Sequence, residues 1–181
     1  MSAKEQAILA QLDATAERGL RPERAKAALA DVPALPETLF ALEEQLTRAT
    51  DDAEEKLKGA ARHLVSAGGK RIRPMVTLLS CGACGGDMKA AVPFAVAAEL
   101  THSATLLHDD VIDDGPVRRG QPASRVIWGN AVSVLSGDWL LTRALEIVAR
   151  EPAGKDALGP LLATMRRLVE GEVLQLSLRG T

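Results

Sequence analysis

The chain has few aromatic residues: among 181 residues there are two Trp, two Phe and no Tyr. Stacking platforms for nucleic-acid bases are therefore not expected. The sequence also lacks any apolar run of the roughly eighteen residues that a membrane-spanning helix needs. Its net charge of -2 provides no general basic field that would attract nucleic acid or an anionic membrane. These absences favour a soluble, cytoplasmic protein with no transmembrane segment and no nucleic-acid partner.

Cysteine is limited to Cys81 and Cys84. A zinc site would need a second pair, and no strand-helix-strand pattern surrounds these two to indicate a redox motif. We therefore expect reduced thiols packed at one helical spacing. Alternating stretches rich in Val, Ile or Thr are also missing, whereas Ala, Leu, Glu and Arg dominate. The sequence thus predicts an all-α protein.

Glycine and proline divide this helical pattern into segments. Residues 1–35 are predicted to be a helical appendage, and residues 36–181 to form the main helical domain. Within the main domain we predict a polar loop at 115–123, a short helix ending before Gly129, and longer helices over 36–67, 74–84, 87–114, 130–149 and from Pro152 to about 178.

Four aspartates lie within six residues at the end of the predicted 87–114 helix: Asp109, Asp110, Asp113 and Asp114. The helix dipole is negative there, so each carboxylate costs roughly 0.3–1 kcal/mol unless a cation compensates it. Asp109 and Asp113 share one face and can offer oxygens to Mg²⁺, which takes further ligands from water and substrate phosphates. His102 lies on the same face two turns earlier. From these residues alone, a solvated acidic helix end is the alternative.

Basic residues occur on either side of this cluster. The segment GGKRIRP at 68–74 combines a glycine turn, three cations and a helix start, so backbone N–H groups and cationic side chains can converge on a phosphate. It lacks the P-loop pattern, so nucleotide cleavage is not supported. Arg118 and Arg119 directly follow the aspartates. Taken alone, each basic segment would be interpreted as ordinary solvated surface charge.

Four sequence blocks together resemble the trans-isoprenyl (polyprenyl) diphosphate synthases. They are GGKRIRP at 68–74, ELTHSATLLHDDVIDDGPVRRG at 99–120, LSGDWLL at 135–141 and EGEVLQL at 170–176. The resemblance extends from about residue 36 to the end. It implies an isoprenoid-synthase-type helical bundle, present here as its N-terminal half, and a prenyltransferase that condenses isopentenyl diphosphate with an allylic diphosphate.

The resemblance also assigns roles to residues. Asp109 and Asp113 would bind the allylic diphosphate through Mg²⁺, and Arg118 would bind the same diphosphate and contribute to catalysis. The implied ligands of isopentenyl diphosphate are Lys70, Arg73, His102 and Arg119. The resemblance also implies that Ala104 and Thr105 form the floor of the product tunnel, where a bulky aromatic side chain would stop elongation early. Small side chains there imply a longer polyprenyl product.

Several neighbouring residues have more than one interpretation. His108 is predicted to be structural, because released pyrophosphate can serve as the base. Gly137 is interpreted as a helix-packing glycine with Asp138 as a polar partner. Glu172 and Gln175 either face the cavity or form a polar stripe.

The family pattern continues with a lysine-threonine block and a second aspartate-rich motif, and neither follows residue 176. This chain is therefore expected to contain one half of the metal clamp and a cavity open on one side. Exposed apolar faces would favour a homodimer or a partner subunit. Three interpretations stay open: a truncated synthase, a subunit of a split synthase, or a non-catalytic diphosphate-binding or regulatory module.

Overall fold

The computed structural model describes Val32 and residues 34–179, and these residues are almost entirely helical. The elements are α1 (Leu35–Ala49), α2 (Glu55–Ser66), α3 (Ile72–Ala83), α4 (Val92–Ile112), β1 (Val117–Arg118), β2 (Gln121–Pro122), α5 (Ser124–Trp128), α6 (Asn130–Arg150) and α7 (Gly154–Leu178). The all-α prediction is confirmed. The helices predicted within the appendage 1–35 lie outside the described residues, apart from its last few positions.

The predicted helix over 36–67 is wrong in one respect, because the structure divides it into two. α1 ends at Ala49 and α2 begins at Glu55. The Glu54 side chain accepts a hydrogen bond from the backbone N–H of Lys56 at 3.0 Å and so caps α2. Short polar side chains in the intervening Thr-Asp-Asp sequence favour turns over helix interiors. Apolar periodicity alone missed this competing cap.

The central element is α4, which packs against α1, α3 and α6. Its tightest neighbour is α6, and the Ser133 hydroxyl of α6 donates to the Leu107 carbonyl of α4 at 3.1 Å. The largest fully buried side chains of the core come from four helices: Leu35, Leu42, Leu46, Leu78, Leu100, Leu107 and Leu140. α4 is thus fixed on several sides, which makes it a rigid support for the groups at its C-terminal end.

The end of α4 begins a compact connection to α5. The predicted polar loop contains a two-stranded antiparallel ribbon in which Val117 pairs with Pro122 and Arg118 with Gln121. Its turn has positive φ at both central residues, Arg119 (52°) and Gly120 (77°), as a tight hairpin requires. The ribbon was not predicted, because two-residue strands carry no periodic signal.

α7 is far less embedded than α4: Gly154 at its start is its only residue classed as buried. Large apolar side chains on it are exposed, among them Val169 at 66%, Val173 at 62% and Leu174 at 60%. The expected apolar exposure is confirmed on this helix. None of the described helices is long and apolar enough to cross a membrane.

Two smaller expectations need correction. The helix predicted from 87 begins at Val92, and residues 88–91 form turns before it. Both cysteines are free thiols, as expected, but Cys84 is exposed and Cys81 only partly buried. The packed pair predicted from their spacing is therefore wrong, since Cys84 lies at the end of α3, where the chain turns to solvent.

Candidate active site

A cleft of about 360 Å³ opens where the loop after α2 meets α3, α4 and the ribbon. The structure brings the four predicted diphosphate ligands together here. The polar side chains that line the cleft are Lys70, Arg71, Arg73, Glu99, His102 and Arg119. Positive φ values at Gly68 (76°) and Gly69 (153°) turn the chain sharply before α3 begins. A Cβ on Gly69 would lie 3.2 Å from the Arg119 guanidinium, so glycine lets the loop approach this cation closely.

Arg71 has a different role from its cationic neighbours Lys70 and Arg73, and this role was not predicted from the sequence. Its side chain is 8% exposed and points inward. The guanidinium contacts Glu43 of α1 through Nε at 2.6 Å and Glu99 of α4 through Nη1 at 2.9 Å. It also donates to the Val65 carbonyl at 3.1 Å. Burial would lower the pKa of Arg71, but the hydrogen bond and charge of Glu43, with Glu99, raise it overall. Arg71 therefore holds the loop in place and is not free to bind an anion.

Arg119 belongs to the turn of the ribbon and lines the same cleft. Its Nη1 donates to the Leu64 carbonyl at 3.3 Å and to the Gly68 carbonyl, and its Nη2 lies 4.0 Å from Glu99. Burial lowers the pKa of Arg119, and neighbouring arginines add to this effect against the opposing charge of Glu99. Arg119 thus lies among other cations with only partial neutralisation, which suits a site that receives a polyanion.

The positive charges around the cleft also affect the pKa of His102. Burial and, in decreasing order, the charges of Arg73, Arg119 and Arg118 together lower the pKa of His102 to about 4. The imidazole is therefore neutral at pH 7 in the free chain. A diphosphate in the cleft would compensate the arginines and favour the protonated ring, which can then donate from both nitrogens.

The aspartates at the end of α4 form the second part of the site. Burial raises the pKa of Asp109, and the charges of Glu172 and Asp113 raise it further, while Arg118 opposes the shift. Asp113 is more exposed and contacts Arg179 at 2.7 Å. The charge of Glu172 lies near enough to raise the pKa of Asp109, which favours the cavity-facing interpretation for this residue.

The two predicted metal ligands fit Mg²⁺ in chemistry and charge. Asp109 and Asp113 offer hard carboxylate oxygens, and burial together with the charges of Glu172 and Asp113 raises the pKa of Asp109, so a cation bound there would stabilise the ionised carboxylate. Over the described residues there is no group of three or more His, Cys, Asp or Glu side chains that would hold a metal ion by itself. Remaining ligands would have to come from substrate phosphate and water, as is usual for Mg²⁺.

Asp110 and Asp114 do not behave as a second pair of metal ligands. The Asp110 side chain is 1% exposed and contacts Arg118, whose Nε and Nη2 lie 2.8 and 2.6 Å from its Oδ1. Asp114 is exposed and pairs with Arg125, which also donates to the Gly115 carbonyl at 2.9 Å. The arginine partners of these two carboxylates were not predicted from the sequence.

His108 and Gly137 form the contact between α4 and α6 just before the aspartates. The His108 Nε2 lies 3.2 Å from both the Val134 carbonyl and Asp138 Oδ1. A Cβ on Gly137 would come within 2.3 Å of this nitrogen. The structural interpretations of His108 and Gly137, with Asp138 as polar partner, agree with this packing.

The two residues predicted to control product length lie one turn before His108. Ala104 is fully buried in the core. Thr105 is partly buried, and its hydroxyl donates to the His102 carbonyl at 2.8 Å. Both side chains are small, but their effect on product length stays a prediction.

An all-helical bundle with an aspartate pair at the end of its central helix, beside a cationic cleft, defines a protein of the isoprenoid-synthase class. The family model described as Polyprenyl synthetase matches residues 54–181, and the chain belongs to this family.

Individual relatives agree with this assignment. The chain is 42% identical over 130 residues to a short chain isoprenyl diphosphate synthase of Methanothermobacter thermautotrophicus, covering 70% of this chain and 40% of the relative. It is 42% identical over 142 residues to heptaprenyl diphosphate synthase component 2 of Geobacillus stearothermophilus, covering 78% and 44%. The crystal structure of a Caulobacter crescentus polyprenyl synthase complexed with calcium and isoprenyl diphosphate superposes with a TM-score of 0.74 at 40% identity, covering 77% and 42%. The chain thus spans less than half the length of these relatives.

Proposed function

We propose that this chain provides the diphosphate-binding part of a trans-polyprenyl diphosphate synthase. In this proposal, isopentenyl diphosphate binds in the cationic cleft and an allylic diphosphate binds through Mg²⁺ at Asp109 and Asp113. The observation that carries the proposal is the cleft lined by Lys70, Arg73, His102 and Arg119, which shares helix α4 with the aspartate pair at that helix's C-terminal end. Arg118 lowers the pKa of His102 in the cleft and also counteracts the raised pKa of Asp109, so the two parts of the site are electrostatically coupled.

The cleft binds the diphosphate of isopentenyl diphosphate through Lys70, Arg73, His102 and Arg119. The glycine turn and the inward ion pairs of Arg71 hold the loop, so these cations are positioned before the ligand arrives. The charges of Arg73 and Arg119, which with burial lower the pKa of His102, favour an anion in the cleft, because an entering diphosphate relieves their mutual repulsion.

The aspartate end of α4 binds the allylic diphosphate. Mg²⁺, when bound, would supply positive charge that neutralises the diphosphate and its departing form. Arg118 adds a fixed cation on the same side. The residues of the chain itself orient the two diphosphates so that the allylic carbon and the isopentenyl double bond come into contact.

The bond changes of the proposed reaction balance without an oxidant or a further co-reactant. The C–O bond of the allylic diphosphate breaks, and its electron pair leaves with pyrophosphate. The isopentenyl double bond then forms the new C–C bond to the allylic cation. A proton leaves the resulting cation for the released pyrophosphate, so no side chain is needed as the base.

Three further features belong to the proposal. The small side chains of Ala104 and Thr105 support a longer polyprenyl product. The exposed apolar residues of α7 support association, either as a homodimer or with a partner subunit, and one relative is named as component 2 of a synthase. A cytoplasmic location stays our prediction from the sequence.

The proposal is tested by Mg²⁺-dependent condensation of labelled isopentenyl diphosphate with farnesyl diphosphate. The purified chain is compared with an Asp109→Ala, Asp113→Ala control. Condensation that disappears in the control supports the assignment, and the product length tests the role of Ala104. Condensation that persists in the control would contradict the assignment of the aspartate pair.

A further inference from the structure

We propose that Asp110 is a positioning residue that holds Arg118 between the two diphosphate sites, and that it is not a metal ligand. The inference rests on the proposed function, because Arg118 matters only if diphosphates bind on both sides of it. Within the DDVID sequence at 109–113, the inference gives Asp110 a different role from the proposed metal ligands Asp109 and Asp113.

Burial and contacts distinguish Asp110 from its neighbours. Its side chain is 1% exposed, whereas that of Asp113 is 38% exposed. The Asp110 Oδ1 accepts a hydrogen bond from Nε of Arg118 at 2.8 Å and lies 2.6 Å from its Nη2. This two-point contact fixes the plane of the guanidinium. A carboxylate enclosed in this way is compensated within the protein, so it has no charge in excess for a cation.

Backbone hydrogen bonds around Asp110 and Arg118 also stabilise their contact. The Gly115 N–H donates to the Asp110 carbonyl at 2.9 Å, which closes the chain immediately after α4. A Cβ at Gly115 would lie 3.4 Å from Asp110 Oδ1, so the turn passes directly over the carboxylate. The Ala123 N–H donates to the Pro116 carbonyl at 3.0 Å and closes the base of the ribbon that carries Arg118. Both the backbone and the guanidinium of Arg118 are therefore held in place.

Arg118 remains available to a ligand despite this contact. Its side chain is 33% exposed, and its charge acts on both Asp109 and His102. The Nη1 nitrogen has no contact with Asp110 among the described interactions. A guanidinium with one edge on Asp110 can direct its free edge to a diphosphate, and it loses little conformational freedom when it does so.

Whether Asp110→Asn tightens or weakens anion binding distinguishes a positioning role of Asp110 from an effect of its negative charge alone. If Asp110 acts only through its negative charge, then Asp110→Asn removes a repulsion and binding of an anion becomes tighter. If Asp110 positions Arg118, the same substitution releases the guanidinium and binding becomes weaker. We expect Asp110→Asn to weaken Mg²⁺-dependent pyrophosphate binding by roughly tenfold, the lower end of the scale for one hydrogen bond to a charged group. The matched control is Asp114→Asn, which removes the same charge nearby and is expected to leave the affinity within about twofold.

A double-mutant cycle then decides through which residue Asp110 acts. Pyrophosphate binding is measured by calorimetry at several Mg²⁺ concentrations for Asp110→Asn, Arg118→Ala and the double variant. The inference predicts that Asp110→Asn has no further effect once Arg118 is alanine, and that the Mg²⁺ concentration for half-maximal binding does not change. If Asp110 were a metal ligand, Asp110→Asn would still weaken binding in the Arg118→Ala background, and the Mg²⁺ concentration for half-maximal binding would rise. Either of these results overturns the inference.

A second measurement needs no ligand and therefore separates this inference from the proposed function. We expect solvent exchange of the Arg118 Nε–H, followed by NMR, to be slowed by the Asp110 contact and to become faster in Asp110→Ala. Equal exchange in the two chains overturns the inference, whatever the binding data show. If the unsubstituted chain binds no Mg²⁺-pyrophosphate, the proposed diphosphate site is refuted, and the exchange rates alone decide whether Asp110 holds Arg118.

Discussion

Replacing Gly137 by alanine should destabilise the chain even though alanine is the better helix former. Gly137 lies inside α6, where Gly→Ala normally stabilises by about 0.5–1 kcal/mol. Here the new Cβ would lie 2.3, 2.6 and 2.9 Å from Nε2, Cδ2 and Cε1 of His108. The ring cannot retreat without losing its 3.2 Å contacts to the Val134 carbonyl and Asp138. Overpacking of this kind costs about 1–3 kcal/mol, and a lost hydrogen bond about 1 kcal/mol more. The net expectation is a loss of roughly 1–3 kcal/mol.

Urea unfolding followed by circular dichroism measures this difference. The matched control is Gly171→Ala in α7, where nothing lies within 4 Å of the added Cβ, and this change should stabilise by up to about 1 kcal/mol. In a His108→Ala background the clash is absent, so Gly137→Ala should become neutral or stabilising. A Gly137→Ala chain at least as stable as the parent would refute the assignment of this contact.

Three other substitutions test the charges of the site. Arg71→Met should destabilise by about 3 kcal/mol in urea unfolding, because it leaves buried Glu99 with only the more distant Arg119 at 4.0 Å. His102→Gln should flatten the loss of stability between pH 6.5 and 4, since the lowered pKa means that only the unfolded chain takes up a proton there; an unchanged slope would argue against a neutral His102. Asp109→Asn should abolish Mg²⁺-dependent binding of an allylic diphosphate yet raise stability by about 0.2–0.5 kcal/mol, because it removes a partly buried charge and relieves repulsion from Glu172 and Asp113.

Residues that share one element could be placed from the sequence. Asp109 and His102 lie on a single helix, so the 3.6-residue period alone predicted that they share a face. The glycine turn before α3 likewise followed from local backbone chemistry. These features depend on a few consecutive residues, and the structure places them as expected.

Partners from distant segments could not be predicted in the same way. Arg71 contacts Glu43 and Glu99, which each lie 28 residues away in sequence. No local pattern distinguishes it from the neighbouring Lys70, because only packing decides which cation turns inward. The pairing of Asp110 with Arg118 had the same character, since it depends on a ribbon whose two-residue strands are too short to show periodicity.

The central claim is that one chain carries two distinct diphosphate sites, and calorimetric titration with each ligand tests it most directly. Isopentenyl diphosphate should bind without Mg²⁺, and Arg73→Ala should weaken this binding while Asp109→Asn leaves it unchanged. Farnesyl diphosphate should bind tightly only with Mg²⁺, and Asp109→Asn should abolish this binding. If both ligands respond equally to Mg²⁺ and to Asp109→Asn, the chain has a single anion site and the account is contradicted.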